Sequence, residues 1–232
     1  MARPMAPAIH LHAAVALAGR FPVLAGVDLD LEDGQVLVVL GANGAGKTSL
    51  LRLLAGLLPL EAGEGRVVGI DLHDGARQLR RHVGLLGHDV GLYDELYAEE
   101  NLRFALKAAR LDPAAATPAL ERVGISGRLA ATPLGQLSQG QRRRVGLALL
   151  VARRPELWLL DEPHASLDGA TRQLVGELVA EAAAAGASVV ATSHEPELSV
   201  PMADLVATMA GGQVIELGPG GRRHITGVSD VA

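Results

Sequence analysis

The sequence predicts an α/β fold in which strands and helices alternate around a glycine-rich loop. Gln35–Leu40 is a nearly continuous apolar run, the pattern of a fully buried strand. The loop follows it directly, and the leucines of Ser49–Leu58 then predict a helix packed on the sheet. The pattern returns with strands at Leu157–Leu160 and Ser188–Thr192, separated by a helix over Gly169–Ala185. This alternation is typical of a sheet covered by helices.

Shorter strands are predicted on both sides of this core. Val27–Leu31 alternates apolar and acidic residues, as a half-buried strand does, and Asp33-Gly34 predicts the turn after it. The remaining predicted strands are Val67–Ile70, Val83–Leu86, Leu205–Met209 and Val214–Leu217.

The middle of the chain is predicted to be helical, with helices at Ala98–Arg110, Pro113–Val123 and Ser138–Arg154. Ser138 is well suited to cap the third of these helices. We therefore expect a single domain over residues 1–232. Residues 1–93 and 155–217 are assigned to the α/β core, residues 94–154 to a helical lobe, and the glycine-rich residues 218–232 to a loose tail.

Composition and charge exclude several classes of function. The chain has 232 residues and no cysteine, which excludes disulfides, thiolate metal sites and a cysteine nucleophile. Its net charge of -5 argues against nucleic acid as a partner. Basic runs occur at Arg80–Arg81, Arg142–Arg144 and Arg153–Arg154. We expect them to be solvated helix faces, with contact to a partner protein as the alternative.

The sequence argues against both secretion of this chain and its insertion into a membrane. No run of eighteen apolar residues occurs, so the sequence predicts no membrane span, and any membrane role requires a partner. Arg3 before an apolar stretch resembles a signal peptide, but His10 and His12 interrupt that stretch. With no third ligand nearby, we expect these two histidines to be strand-face residues and not a metal site.

The most specific motif is a loop that matches G-x-x-x-x-G-K-[ST]. Its residues are Gly41, Ala42, Asn43, Gly44, Ala45, Gly46, Lys47 and Thr48, and the binding assignment also includes Ser49. Backbone N–H groups of such a loop surround phosphate oxygens, and the following helix adds its positive dipole end. Lys47 is expected to neutralise the β- and γ-phosphates, and Thr48 to bind Mg²⁺. A chance match among 28 glycines is the alternative, and the strand–loop–helix context argues against it.

Two acids and a histidine end two of the predicted core strands. Ligands of α/β sheets bind at the carboxyl ends of strands, so we expect these side chains near the loop. Asp161 is expected to hold Mg²⁺ through water, and Glu162 to orient and polarise the attacking water. His194 is expected to contact the γ-phosphate and link it to Glu162. The structural alternatives are acids that cap the next helix and a histidine that only packs.

Leu137–Gln141, about ninety residues after the loop, resembles the signature sequence of ABC ATPases. The resemblance extends from about Val23 to Leu217, and His194 matches the switch histidine of that family. It implies a P-loop NTPase (RecA-like) core with an N-terminal antiparallel β part and a helical ABC signature lobe. It also implies two cassettes, expected to be a homodimer, that bind two ATP molecules between them. The residues expected to bind the partner's ATP are Ser138, Gly140 and Gln141.

The resemblance further implies ATP and Mg²⁺ as cofactors and a separate integral-membrane transporter subunit as partner. The chain would then be cytoplasmic and peripheral on the inner face of the cell membrane. Three positions depart from the family pattern. Gln139 replaces a frequent glycine, and His88 stands where a glutamine is usual, so it is expected to accept from water or face Mg²⁺. Ala18 occupies the usual place of the adenine-stacking aromatic residue, and Phe21 either replaces it or simply packs.

Among ABC transporters, the chain is similar to the ATPase of the cytochrome c maturation haem exporter. The stretches that carry this similarity are Gly19–Phe21, Leu86–His88, Glu100–Phe104, Gln141–Val145 and Leu157–His164. The alternative is a drug or polysaccharide exporter, and a regulatory ABC protein remains possible only if Glu162 is not catalytic. A P-loop kinase or GTPase would lack the signature helix, and the chain has no room for the coiled coil of a chromosome-maintenance ATPase.

Overall fold

The computed structural model describes residues 7–87, 89–164 and 168–222. The strands in these ranges are β1 (Ile9–Ala18), β2 (Phe21–Leu31), β3 (Val36–Leu40), β4 (Ala62–Val67), β5 (Ile70–Asp71), β6 (Val83–Leu86), β7 (Leu157–Leu160), β8 (Ser188–Ser193), β9 (Leu205–Ala210) and β10 (Gln213–Pro219). The α-helices are α1 (Lys47–Leu54), α2 (Ala76–His82), α3 (Ala98–Ala108), α4 (Ala116–Arg122), α5 (Gln139–Arg153), α6 (Gly169–Ala184) and α7 (Pro196–Ser199).

The described strands form two sheets. An antiparallel sheet has the order β2-β1-β4-β5, which confirms the N-terminal antiparallel part. The second sheet has the order β10-β9-β3-β8-β7-β6. Adjacent strands in it are parallel, except that β9 and β10 are antiparallel. Its central strands β3, β7 and β8 are apolar runs buried on both faces, as a parallel core requires.

The six-stranded sheet separates two hydrophobic cores. Alternate residues of β3 point to opposite faces: Val36 and Val38 join the core formed with α3–α6, whereas Leu37 and Val39 join the core formed with α1 and the antiparallel sheet. The α/β prediction is therefore confirmed. Strand β3 is packed against a hydrophobic core on each of its two faces. This fixes the position of the loop that leaves its carboxyl end.

Several elements differ from the sequence prediction. The predicted single strand Val67–Ile70 is instead the end of β4, a turn at Val68 and Gly69, and the start of β5. The chain reverses there because Val68 has a φ of 46°. The helices α2 and α7 were not predicted, and β1 was not predicted with bounds. The tail expected from Gly218 starts later, because β10 continues to Pro219 and the backbone N–H of Arg222 donates to Ala203 at 2.8 Å. Residues 223–232 of that tail lie outside the described residues.

The two N-terminal histidines are strand-face residues, as expected. Nδ1 of His10 lies 2.6 Å from Asp30, and Nδ1 of His12 lies 2.9 Å from Asp28 on the neighbouring strand. Over the described ranges, none of the helices combines the length and the apolar character needed to cross a bilayer.

Candidate nucleotide-binding and catalytic site

The glycine-rich loop connects the end of β3 to the start of α1 and packs tightly against the strands beside it. Gly41 and Gly46 have φ angles of 153° and 106°, which favour glycine. A Cβ atom at Gly41 would lie 2.5 Å from the carbonyl oxygen of Met209, and one at Gly46 would lie 3.0 Å from that of Val23. The two glycines are therefore needed for the loop to keep its path.

Lys47 holds its ammonium group inside the loop. Its Nζ donates to the carbonyl oxygens of Gly41 at 2.6 Å and Ala42 at 3.2 Å, and the residue is buried. The group lies at the N-terminus of α1, where unpaired N–H groups and the helix dipole also favour an anion. A buried cation, a helix N-terminus and a glycine loop together match the requirements of a phosphate chain.

The carboxylate of Asp161 is held between two hydroxyl groups. Thr48 Oγ1 donates to its Oδ2 at 2.9 Å, and Thr192 Oγ1 donates to its Oδ1 at 2.7 Å. Asp161 follows β7, and Thr192 belongs to the adjacent strand β8. A hydroxyl and a carboxylate at the mouth of a phosphate loop are hard oxygen donors, so these residues fit Mg²⁺.

Glu162 lies between a cation and a histidine. Its Oε2 is 2.6 Å from Nδ1 of His194, and its Oε1 is 3.7 Å from Nζ of Lys47. Its backbone has a φ of 49°, in the left-handed region that non-glycine residues rarely adopt. The backbone N–H donates to Thr192 Oγ1 at 3.0 Å, which helps to hold this conformation.

Lys47, Thr48 and the two acids line one open cleft of about 610 Å³. Gly41, Thr192 and His194 are not part of its lining; Thr192 and His194 contact the acids from beside it. Its lining residues are Pro22, Val23, Ala42, Asn43, Gly44, Ala45, Gly46, Lys47, Thr48, Ser49, Asp161, Glu162, Gly211 and Gly212. The structure therefore brings the predicted loop and both predicted acids together. Phe21 is exposed and not part of this lining, whereas its neighbour Pro22 is.

The chain matches the ABC transporter family model over residues 24–165, which include the loop, the signature stretch and both acids. It belongs to the ABC transporter family. The "Cytochrome c biogenesis ATP-binding export protein CcmA" of Bordetella bronchiseptica is 49% identical over 186 residues, covering 78% of this chain and 82% of that protein. The protein of the same name from Mesorhizobium japonicum is 42% identical over 190 residues, covering 82% and 92%.

The fold agrees with this assignment. A dimeric ATP-binding cassette, MJ0796, solved in a post-hydrolysis state bound to ADP and Pi, matches with a TM-score of 0.81 and 24% identity. The match covers 93% of this chain and 100% of the solved chain. The protein thus has the P-loop NTPase core that its sequence predicts, and its family match identifies it as an ABC-type ATPase.

The signature residues of the ABC ATPase are not part of its own cleft. Ser138 caps α5: its Oγ accepts from the N–H of Gln141 at 3.3 Å, and its own N–H donates to the Gln141 side chain at 2.9 Å. Neither residue lines the cleft described above, and Gly140 does not either. His88, the expected replacement for the usual glutamine, lies outside the described residues, as do Ser166 and Leu167.

The cleft lining also includes Pro22, Val23, Gly211 and Gly212, which were not predicted from the sequence. Two residues that contact the acids, Thr192 and Arg143, were missed as well. Thr192 contacts both acids, and its only sequence signal is its place two residues before His194. Arg143 is buried and donates to the backbone carbonyl oxygens of both acids, so the expectation of a solvated face is wrong for it. The available signal was that Arg143 shares a helix face with Leu147 and Leu150, both buried.

A second buried polar side chain, His164, follows the acids. Neither ring nitrogen has a hydrogen-bond partner among the described residues. Burial is the main cause that lowers the pKa of His164; the positive charges of Arg172 and Arg143 lower it further, and Glu195 opposes them. The folded protein therefore favours neutral His164.

We expect the ABC ATPase to lose stability as the pH falls below about 6.5, the ordinary pKa of histidine, because the unfolded chain then binds a proton that folded His164 does not. His164→Phe should remove part of this loss. Urea unfolding midpoints at pH 7.5 and 5.5 measure it. His73→Gln, at an exposed histidine, is the control. An unchanged difference between the two midpoints in His164→Phe would contradict the assignment.

Proposed function

We propose that this ABC ATPase powers export through a separate integral-membrane subunit during c-type cytochrome biogenesis, and that haem is the exported substrate. The observation that carries the proposal is the 49% identity to a protein named for cytochrome c biogenesis and export. That identity extends over 186 residues, well beyond the short nucleotide-binding motifs. The site geometry supports the ATPase part of the proposal independently.

The proposed hydrolysis uses the residues that meet in the cleft. The loop and Lys47 hold the β- and γ-phosphates of ATP, and the Glu162 carboxylate orients a water molecule and accepts its proton. His194 hydrogen-bonds Glu162 at 2.6 Å and so restricts the direction of that carboxylate. Thr48 and Asp161 would hold Mg²⁺, which when bound neutralises charge on the phosphates.

A second copy of the chain is proposed to complete each site, by contributing Ser138, Gly140 and Gln141. Two facts support this. These residues begin a helix, where N–H groups without an intrahelical acceptor and the helix dipole suit an anion, yet they lie outside the chain's own cleft. The solved cassette of the same fold is described as dimeric. The proposed location is the cytoplasmic face of the cell membrane, reached through the membrane subunit.

The surface proposed to contact the membrane subunit is an aromatic patch formed by Tyr93, Tyr97 and Phe104. Their exposed fractions are 53%, 43% and 53%, which is high for large rings. The rings of Tyr93 and Phe104 pack edge to face with centroids 5.4 Å apart. The patch lies at the start of the helical lobe, on the segment that follows β6 and on α3.

The proposed function is tested in cells of the source organism that carry Glu162→Gln in place of the native protein. An in-gel peroxidase stain measures haem bound covalently in c-type cytochromes. We expect holo-cytochrome c to be lost while other haem proteins remain, because export stops when hydrolysis stops. Glu177→Gln, at an exposed glutamate on α6, is the matched control and should leave the stain unchanged.

Normal holo-cytochrome c in the Glu162→Gln strain would contradict the cytochrome role. It would leave the ABC ATPase assignment intact and direct the search for a substrate towards drug or polysaccharide export.

A further inference from the structure

We infer that Arg143 is a positioning residue for ATP hydrolysis: it holds the backbone of the two acids and so sets the direction of the Glu162 carboxylate. This inference rests on the proposed catalytic role of Glu162. It concerns a residue on α5, the helix that begins with the signature sequence, and not a residue of the cleft itself.

The Arg143 guanidinium reaches from α5 to the end of β7. Its Nη2 donates to the carbonyl oxygen of Glu162 at 2.8 Å and also to that of Asp161. The residue is only 9% exposed, although arginine is rarely buried unless it is paired. Its Nε has no partner among the described residues, so these two carbonyl groups account for its hydrogen bonds there.

Glu162 needs such support because its backbone adopts an unfavourable conformation. Its φ of 49° places a non-glycine residue in the left-handed region, which persists only where the surroundings hold it. Thr192 holds the N–H of Glu162 at 3.0 Å, and Arg143 holds its carbonyl oxygen at 2.8 Å. With both sides of the residue held, the side chain leaves the backbone towards His194 and Lys47.

The other two arginines of the run make different contacts. Arg142 pairs with Asp94, and Arg144 donates to the carbonyl oxygen of Val123 at 3.3 Å. Arg143 thus has a distinct role in the run. It lies two residues after Gln141, so one short rigid stretch of α5 carries both the signature residues and the contact to Glu162. A shift of this helix N-terminus would therefore also shift the catalytic backbone.

The first test compares Arg143→Met and Arg143→Lys with a matched control, Arg153→Met, in the full chain. Arg153 lies on the same helix and also donates to two backbone carbonyl oxygens, those of Arg80 and Val83, at the end far from the acids. We expect Arg143→Met to lower kcat by about 10- to 100-fold, because a misplaced catalytic group costs up to this much. ATP affinity, measured by nucleotide titration, should stay within about threefold, since Arg143 does not line the cleft.

Arg143→Lys should recover part of the loss, because an ammonium group can still donate to a carbonyl oxygen. Arg153→Met should keep kcat within about threefold of the wild-type value. Unchanged kcat in Arg143→Met would overturn the inference, and so would a loss of the same size in Arg153→Met.

A double-mutant cycle separates positioning from general damage. If Arg143 acts through Glu162, Arg143→Met should lower kcat strongly in the wild-type background and by less than about threefold in the E162Q background. Equal losses in both backgrounds would overturn the positioning role while the role of Glu162 stands. An E162Q protein as active as the wild type would instead contradict the catalytic role of Glu162 and the positioning role with it.

Discussion

Replacing Glu162 by glutamine is expected to lower kcat for ATP hydrolysis by about 10²- to 10⁴-fold, the range for loss of a general base. Glutamine keeps the shape of the side chain and a hydrogen bond to His194, but not the negative charge that accepts a proton from water. ATP affinity should stay within about threefold, because the phosphate-binding groups of Lys47 and the loop are unchanged. Steady-state hydrolysis measures kcat, and nucleotide titration measures ATP affinity. With ATP present, the variant should accumulate as a dimer on size-exclusion chromatography.

Glu156→Gln is the matched control for this experiment. Glu156 lies just before β7, and its side chain pairs with His82 at 2.6 Å, whereas Glu162 follows the opposite end of the same strand. The control should hydrolyse ATP at the wild-type rate. Hydrolysis by Glu162→Gln at that rate would refute the catalytic assignment.

The phosphate loop and the acids could be predicted from the sequence because each depends on contiguous residues in a simple context. The loop needs a buried strand before it and a helix after it, and both signals are local. Asp161 and Thr192 come together because β7 and β8 are adjacent parallel strands whose carboxyl ends share one edge of the sheet. The same argument applies to Thr192 at the end of β8, although the sequence analysis did not include it.

Arg143 could not be predicted in this way because its role depends on a contact across 18 and 19 residues of chain, between a helix and a strand end. In the sequence it is the middle of three arginines, and composition alone favours solvent for all of them. The strand prediction for Val67–Ile70 was wrong for a different reason. Its β-branched residues favour a strand, and only the structure shows the positive φ of Val68 that reverses the chain.

Replacing Ser138 by arginine is expected to lower hydrolysis by about 10²- to 10³-fold, the effect of removing a preorganised anion-binding donor, while ATP binding remains normal. The two effects should separate because Ser138 lies outside the chain's own cleft and, in the proposed dimer, acts on the ATP bound by the partner. Asp112→Arg is the matched control. It also places arginine at the cap of a helical turn in the same lobe, since Asp112 accepts from the N–H of Ala114 at 2.9 Å. It should remain active.

Mixing Ser138→Arg with Lys47→Ala chains tests whether the site is shared between two copies. Lys47→Ala alone should bind ATP weakly, because the loop loses its buried cation. In a mixed dimer, the intact loop of the Ser138→Arg chain faces the intact signature helix of the Lys47→Ala chain. Random pairing makes half of the dimers mixed with one working site each, so we expect about a quarter of wild-type activity from two inactive proteins. A mixture that stays inactive would contradict the head-to-tail arrangement, and activity of Ser138→Arg alone would contradict the role of the signature helix.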